Sequence, residues 1–577
     1  MAQEIKLPGS PNQEPGMEKN LLIAFALMGV VIFGTQYFMP QAAPAPVKKE
    51  AAQTTAAQAP AQAPDAPPAI AAAPAKLAPG QVAAPVVAAS KEQTSRIETE
   101  LYKVEFSNKG GVVTSWILKK YKDSRGQPLE LVHGPAREKA GNPFAIQLNG
   151  RDMNPNLNWY LFAVSQAADG LGIDFNYSNG NTRAHKSFRF DRNKYVVDVQ
   201  SELVLNGVPT PHNLAWRGGF GDHFAFNGHS LGTTVRFNES TNKLETKSVK
   251  DAASGWSTDT GNYAFAGIQD QFFTAVAIHR GAGQVELQTT SDTFVPYSST
   301  DKKEEPNIGM AVGGSASNKF AFYVGPKDLD VLKLVDPRLE QMVDFGTWFG
   351  IIAKPLFYAL NYVNTNFIHN YGWSIIVVTI IINLLTLPLK MSSMKSMQKT
   401  ALVQPELQRI NDKYKGISMT DPKAAKKNEE VMELYKKHGI NPAGGCLPLM
   451  LQMPFLIGFY SVLSVAIEMR QAQWFWVTDL SQPENIPIRI LPILMVATQF
   501  LLQRMTPSAG MDPQQQKIMM FMPLMFAFMF YGASSGLVLY WLTGNAFAML
   551  QQYVFTKVKL GPVTPPSQAV VTVKKKK

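Results

Sequence analysis

Cysteine is almost absent from this 577-residue chain, with Cys446 standing alone. No intrachain disulfide can form, and a cysteine-based structural zinc site is excluded. Catalytic signatures are missing as well. His185, His212, His223, His229 and His279 are scattered without HExxH spacing, and there is no GxSxG or GxxxxGK[ST] segment. Solvated or core histidines are the plain reading, over a catalytic or metal site. Lys and Arg number 55 against 44 Asp and Glu, yet no Arg- and aromatic-rich nucleic-acid signature accompanies the excess. The cations cluster beside apolar runs, which suits a membrane surface rather than DNA or RNA. Paired half-repeats with broken helices, expected of a small-solute transporter, are also lacking. Nothing calls for a cofactor or a metal.

What is present comes in blocks, so a soluble part and a membrane part are expected. After a polar stretch at 1–20, the run 21–38 is near the lower limit of the roughly 17 to 25 residues that cross a bilayer. Ala42 and Ala43 follow it, as in a cleaved signal, but its length and weakly basic flank favour an uncleaved signal anchor. Met17, just before the run, offers an alternative start that makes residues 1–16 dispensable. Residues 39–95 are mostly Ala, Pro, Gln and Val. Such a tract cannot offset its ordering entropy and reads as a tether.

Residues 96–335 change to strand periodicity. Tyr102, Val104 and Phe106 alternate with Lys103 and Glu105, and Tyr195, Val197 and Val199 with Val196, Asp198 and Gln200. Asn108-Lys109-Gly110-Gly111 and Asn206-Gly207 mark turns. A large antiparallel β-sandwich is expected. At 336–372 a linker leads into Phe345, Trp348, Phe349, Ile352, Leu356, Leu360 and Val363 at helical spacing. That pattern fits an amphipathic helix in the outer membrane interface or a short helix packed under the sandwich.

Five apolar spans follow, at 373–389, 447–467, 490–503, 519–531 and 536–555, several of them short enough to require local thinning of the bilayer. The segment 390–446 and the tail 556–577 are rich in lysine, which puts both in the cytoplasm. Counting back gives six spans, a cytoplasmic amino terminus and a β-domain outside, in the periplasm of a Gram-negative cell. Within 390–446, two charged helix-favouring stretches separated by Gly416 and Asp421-Pro422 suggest a helical hairpin. It reads equally as a solvated face or as a receptor for incoming chains.

The first of the five spans carries more than an anchor needs. Thr379, Asn383, Thr386 and Lys390 fall at i, i+4, i+7 and i+11 and line one helical face of an otherwise aliphatic segment. Polar side chains at that depth face a protein interior or a water-filled cavity. A partly hydrated groove inside the membrane is expected.

Residues 367–376 (FIHNYGWSII), 441–448 (NPAGGCLP), 452–454 (QMP), 512–519 (DPQQQKIM) and 535–541 (SGLVLYW) resemble the YidC membrane protein insertase family, in its Gram-negative form with a large periplasmic domain. The match is dense from 344 to 555, and the order of parts also agrees. The resemblance implies a multi-pass α-helical inner-membrane protein of six spans, with a five-helix insertase core and a periplasmic β-sandwich. It implies no enzyme. Nascent membrane proteins would enter a hydrophilic groove and leave sideways into lipid, alone or with the Sec translocon (SecYEG, SecDF), and the ribosome is a further partner the basic hairpin could meet.

One position departs from the family. Where it usually has a groove arginine, this chain has Asn383, which keeps hydrogen-bonding capacity but loses the charge. Lys390, two turns nearer the cytoplasm on the same face, could supply the attraction. As a bland alternative it is a snorkelling anchor. By the resemblance Thr379 and Tyr540 or Trp541 border Asn383, and Gln452, Tyr460, Ser464, Glu468, Gln499, Gln503, Thr543 and Asn545 are polar residues that could extend the groove. Met453, Pro454, Met522, Met525, Phe526 and Met529 would form an apolar sliding surface for substrate helices. From spacing alone, the methionines are core packing. A membrane-anchored carbohydrate-active enzyme, with its acids in the β-domain, is the competing class.

Overall fold

The computed structural model describes residues 85–148, 153, 156–224, 232–252, 255–281, 283–295, 304–346, 349–414, 422–440, 447–505 and 513–557. The amino-terminal run 21–38, the tether up to residue 84, His229, Trp348, the hairpin apex with Gly416 and Asp421, residues 441–446 and the tail from 558 lie outside the described residues.

Alternation in the sequence becomes alternation in burial. Tyr102, Val104 and Phe106 are fully buried, while Lys103 and Glu105 pair at 2.9 Å on the other face of the strand Tyr102–Ser107. This strand lies antiparallel between Thr94–Glu98 and Val112–Lys122. Its turn needs glycine: Gly110 and Gly111 have φ of 81° and 58°, and a Cβ on either would come within 3 Å of Asn158 or Phe175. Asn206 and Gly207, both at positive φ, close the hairpin between Val196–Leu205 and Val208–Pro209.

Beyond this four-stranded sheet stand a ten-stranded and a five-stranded sheet, whose strand pairs are all antiparallel. The two larger sheets face each other as the expected sandwich. Thr234 and Thr289 bond across the gap at 3.0 Å, and Phe144, Trp216 and Phe322 interlock in the core. The histidines are interior fittings. His212 meets Ser201 at 2.8 Å and His223 meets the Leu131 carbonyl at 3.1 Å. Burial holds the rings of both down to about 4, so they are neutral near pH 7. No cluster of three or more His, Cys, Asp or Glu suited to a metal occurs among the described residues.

The carboxyl-terminal half is helical: α1 Gly350–Val363, α2 Tyr371–Leu385, α3 Leu387–Leu402, α4 Gln404–Lys413, α5 Pro422–Lys437, α6 Leu447–Val465, α7 Ile490–Met505, α8 Pro513–Tyr531 and α9 Ser535–Lys557. Helix α1 runs through Pro355, buries Leu356, Phe357, Leu360 and Val363, and exposes Ile351, Tyr358 and Tyr362. It turns by 117° into α2 through residues 364–370, where His369 is left-handed at φ 54°. A helix so inclined to α2 cannot run alongside it. The span expected at 373–389 is split: α2 stops at Leu385, Thr386 is the joint, and Pro388 opens α3. Among the described residues no single helix is long and apolar enough to cross a membrane, although α1 and α2 meet that measure as a bent pair. Helices α4 and α5 form the expected hairpin, closed over Val403, Leu407, Leu434, Tyr435 and Ile440 and tied by Lys413 and Glu430 at 2.6 Å.

One buried cation organises the sandwich. The Lys186 ammonium, fully enclosed, donates to the carbonyls of Gly110, Gly111 and Phe144 at 2.8, 3.2 and 2.7 Å. These carbonyls belong to two separate loops, so the side chain ties the glycine turn to the strand edge. Replacing Lys186 by Met orphans the three acceptors. The expected loss is about 2–4 kcal/mol, read as a lowered thermal midpoint of the β-domain; an unchanged midpoint refutes the role.

Candidate functional site

Polar side chains on an apolar helix must find partners, and most of this stripe finds them on its own backbone. Thr379 donates to the Ile375 carbonyl at 2.6 Å and Thr386 to the Ile382 carbonyl at 2.9 Å. Asn383 uses its Nδ2 in the same way, reaching the Thr379 carbonyl at 2.8 Å. That leaves Oδ1, the one strong acceptor the stripe still offers. Lys390 takes it: from the first turn of α3 the side chain reaches back along the helix, and Nζ donates to Asn383 Oδ1 at 2.6 Å. Thr379 and Asn383 are buried, whereas Thr386 and Lys390 are half-buried.

Around this pair lies a narrow cleft between α2, α3, α6 and α9, lined by Ile382, Asn383, Thr386, Lys390, Gln452, Phe455 and Tyr540. Its volume is about 10 Å³, room for about one water molecule. It is thus tighter than the hydrated groove expected. Tyr540 narrows it by stacking on Phe459 at 4.2 Å, and the Gln452 amide hydrogen-bonds the Tyr540 hydroxyl.

Other expected groove residues stand elsewhere. Trp541 points to the far side of α9, donating to Gln499 at 3.2 Å and packing on Phe526 and Phe530. Asn545 reaches the Met495 carbonyl and Thr498, both at 3.3 Å, tying α9 to α7. Thr543 bonds within its own helix. At Ser464 it is the backbone carbonyl that accepts from Gln271 of the β-domain. Of the expected sliding surface, Phe526 is buried, Met453, Pro454, Met522 and Met529 are half-buried, and Met525 is exposed. Among the described side chains of α8, Phe528, Leu524 and Phe521 are strongly exposed, one position off the methionine stripe. Sequence reasoning missed Ile382, Phe455 and Phe459, apolar residues indistinguishable by type from their neighbours.

Ile382 and Phe455 also line a second, wholly different space. It is a trough of about 700 Å³ between α1, α2 and α6, walled by Ile351, Leu356, Tyr362, Val378, Ile381 and Leu385 among others. With Ile351, Tyr362 and Leu385 strongly exposed, the trough is open at its side. Its lining is almost wholly apolar. Polar cleft and apolar trough therefore meet at Ile382 and Phe455.

Family models match both halves of the chain. One described as a 60Kd inner membrane protein covers residues 363–561, and one described as the YidC periplasmic domain covers residues 94–359. The membrane protein insertase YidC of Syntrophus aciditrophicus is 32% identical over 566 residues, spanning 94% of this chain and 100% of that protein. The membrane protein insertase YidC of Geobacter metallireducens is 33% identical over 575 residues, spanning 94% of this chain and 98% of its own length. A solved active YidC insertase with its first transmembrane domain resolved is 17% identical, covering 82% of this chain and 94% of that one at a TM-score of 0.34.

Two side chains separate cleft from scaffold. Trp541→Phe, which loses the bond to Gln499 and part of the packing on Phe526 and Phe530, should cost about 2 kcal/mol in thermal stability. It should leave unchanged the aqueous alkylation rate of a cysteine placed at Ile382 in a Cys446→Ser background. Phe459→Ala, which unstacks Tyr540, should raise that rate. A rate that follows Trp541 instead reverses the assignment.

Proposed function

This chain belongs to the YidC family of membrane protein insertases, and from that premise we propose how its own residues carry out insertion. It inserts membrane proteins into the inner membrane, is not an enzyme, and carries a periplasmic β-domain. The proposed topology has six spans, with 21–38 as signal anchor, α1 lying in the outer interface, and the basic hairpin and tail in the cytoplasm. The 117° turn between α1 and α2 supports this arrangement, because α1 then lies near the membrane plane when α2 crosses it.

Moving an apolar helix from water into lipid is downhill, so the barrier is the passage of its polar flank through hydrocarbon. The cleft lowers that barrier by offering hydrogen bonds and a positive charge part of the way across. The ammonium of Lys390 held on Asn383 at 2.6 Å carries this reading. It puts a cation where the family usually has arginine, delivered from the cytoplasmic end of the helix. A cation fixed at mid-span costs roughly 2.5–3.5 kcal/mol; the charge-assisted hydrogen bond to Asn383 Oδ1 offsets part of that for the Lys390 ammonium. An incoming acidic flank pairs with Lys390 while Asn383 and Gln452 hydrogen-bond its backbone. The apolar part of the segment passes Ile382 and Phe455 toward lipid. Nascent membrane proteins and lipids are the direct partners; the Sec translocon (SecYEG, SecDF) and the ribosome are proposed further ones, the latter at α4 and α5.

The test is insertion of a two-span protein with an acidic translocated loop into liposomes carrying the purified chain, scored by protease protection. Asn383→Leu, which removes both the acceptor that holds the Lys390 ammonium in the cleft and a hydrogen-bond partner for the incoming backbone, should lower insertion about tenfold, roughly the worth of one such hydrogen bond. Asn383→Arg should retain it. Full activity in Asn383→Leu sinks the reading, and activity only in Asn383→Arg would mean that Lys390 does not substitute for the arginine.

A further inference from the structure

The segment between α6 and α7, residues 466–484, touches the β-domain on one side and the outer ends of α2 and α9 on the other. Its anchor is Arg470, whose Nη2 meets Asp222 Oδ2 at 2.7 Å with both side chains over nine-tenths buried. The guanidinium also lies over the Phe273 ring, 5.2 Å from its centre. Asp222 is held in turn by the Ser124 hydroxyl at 2.8 Å and the Phe224 amide at 3.0 Å. Two amides flank the ion pair: Gln471, left-handed at φ 58°, donates to the Lys122 and Asp123 carbonyls, and Gln271 donates to the Ser464 carbonyl at 2.6 Å.

The opposite side of the segment is equally fixed. Trp474 packs so closely on Gly372 that a Cβ there would lie 2.3 Å from its ring. Asn370, which caps α2 by accepting from the Trp373 amide, donates to the Gln473 carbonyl at 2.9 Å. The Leu480 and Gln482 carbonyls accept from the amides of Gly536 and Ser535 at 2.9 and 2.8 Å, capping α9. Helices α2 and α9 supply Asn383 and Tyr540 to the cleft, with Asn383 about 20 Å along α2 from Asn370.

We infer that segment 466–484 is a rigid coupling through which the seating of the β-domain sets the spacing of α2 and α9 across the cleft, with Arg470 as its positioning residue. Its consequence for insertion rests on the groove reading above. A buried ion pair that loses one partner leaves a stranded charge, so the joint is either fully made or open. A displacement of the β-domain therefore reaches the cleft as a shift of two helix ends.

Pulsed EPR on the full chain in a Cys446→Ser background tests this, with spin labels at the exposed positions Val208 and Leu385 for domain seating, and Leu385 and Leu550 for the cleft. Arg470→Ala should broaden the first distance and shift the second, while Arg470→Lys, which keeps the charge, should restore both. Insertion should fall about threefold to tenfold in Arg470→Ala, the size of effect carried by packed networks. If Arg470→Ala does not accumulate, Gln271→Ala with Gln471→Ala removes the flanking bonds and is read in the same way. A broadened first distance with an unchanged second overturns the coupling, as does no broadening at all. A shifted cleft with undiminished insertion upholds the coupling and counts instead against the groove.

Discussion

A polar group in an apolar helix bundle must be hydrogen-bonded, and in this chain that requirement decides what the bundle can do. The hydroxyls of Thr379 and Thr386 and the amide of Asn383 are spent on the backbone of α2. One acceptor, Asn383 Oδ1, remains, and Lys390 completes it. The pair is self-sufficient at rest, so in the proposed mechanism the groove is closed until a foreign polar segment arrives. The cleft of about one water, narrowed by Tyr540 on Phe459, is the geometric face of the same fact. In the proposed mechanism an arriving carboxylate replaces Asn383 as the partner of Lys390, one charged hydrogen bond being exchanged for an ion pair that offsets the carboxylate's desolvation.

The outer half of the molecule holds the frame in which this exchange occurs. A β-domain of three sheets, with Lys186 pinning its loops, is joined to the helices through a short segment whose anchor is buried on both sides. Apolar contacts alone would let helices slide at small cost. Carbonyls capping α9 and a tryptophan wedged on Gly372 do not. Rigidity outside and a single exchangeable bond inside are complementary features of one device.

Much of this was legible from residues. Alternation in 102–106 gave strands with the correct buried face, Asn108 to Gly111 and Asn206-Gly207 gave the turns, and the stripe at 379, 383, 386 and 390 gave the side chains that line or support the cleft. The reading of isolated histidines as core residues holds for His212 and His223. Three things were not legible, for one reason. Trp541 turning to Gln499, Phe526 turning inward onto Trp541, and Arg470 finding Asp222 are choices of neighbour between segments 15 to 248 residues apart. Periodicity reports the face of an element and never the identity of what covers it. The split at Thr386 was written in Pro388, but the aliphatic run before it, with Leu387 and Leu389 beside it, hid the joint.

The central claim is that Lys390, poised on Asn383, supplies the attraction for acidic flanks. It is tested most directly by insertion rates for a series of substrates that differ only in carrying no, one, two or three acidic residues in the translocated segment, in wild type and in Lys390→Gln. With Lys390 as the attracting group, the rate rises with acidity in wild type, Lys390→Gln flattens the series, and the neutral substrate is unaffected. A slope as steep in Lys390→Gln as in wild type would contradict it, and would return Lys390 to the role of a snorkelling anchor.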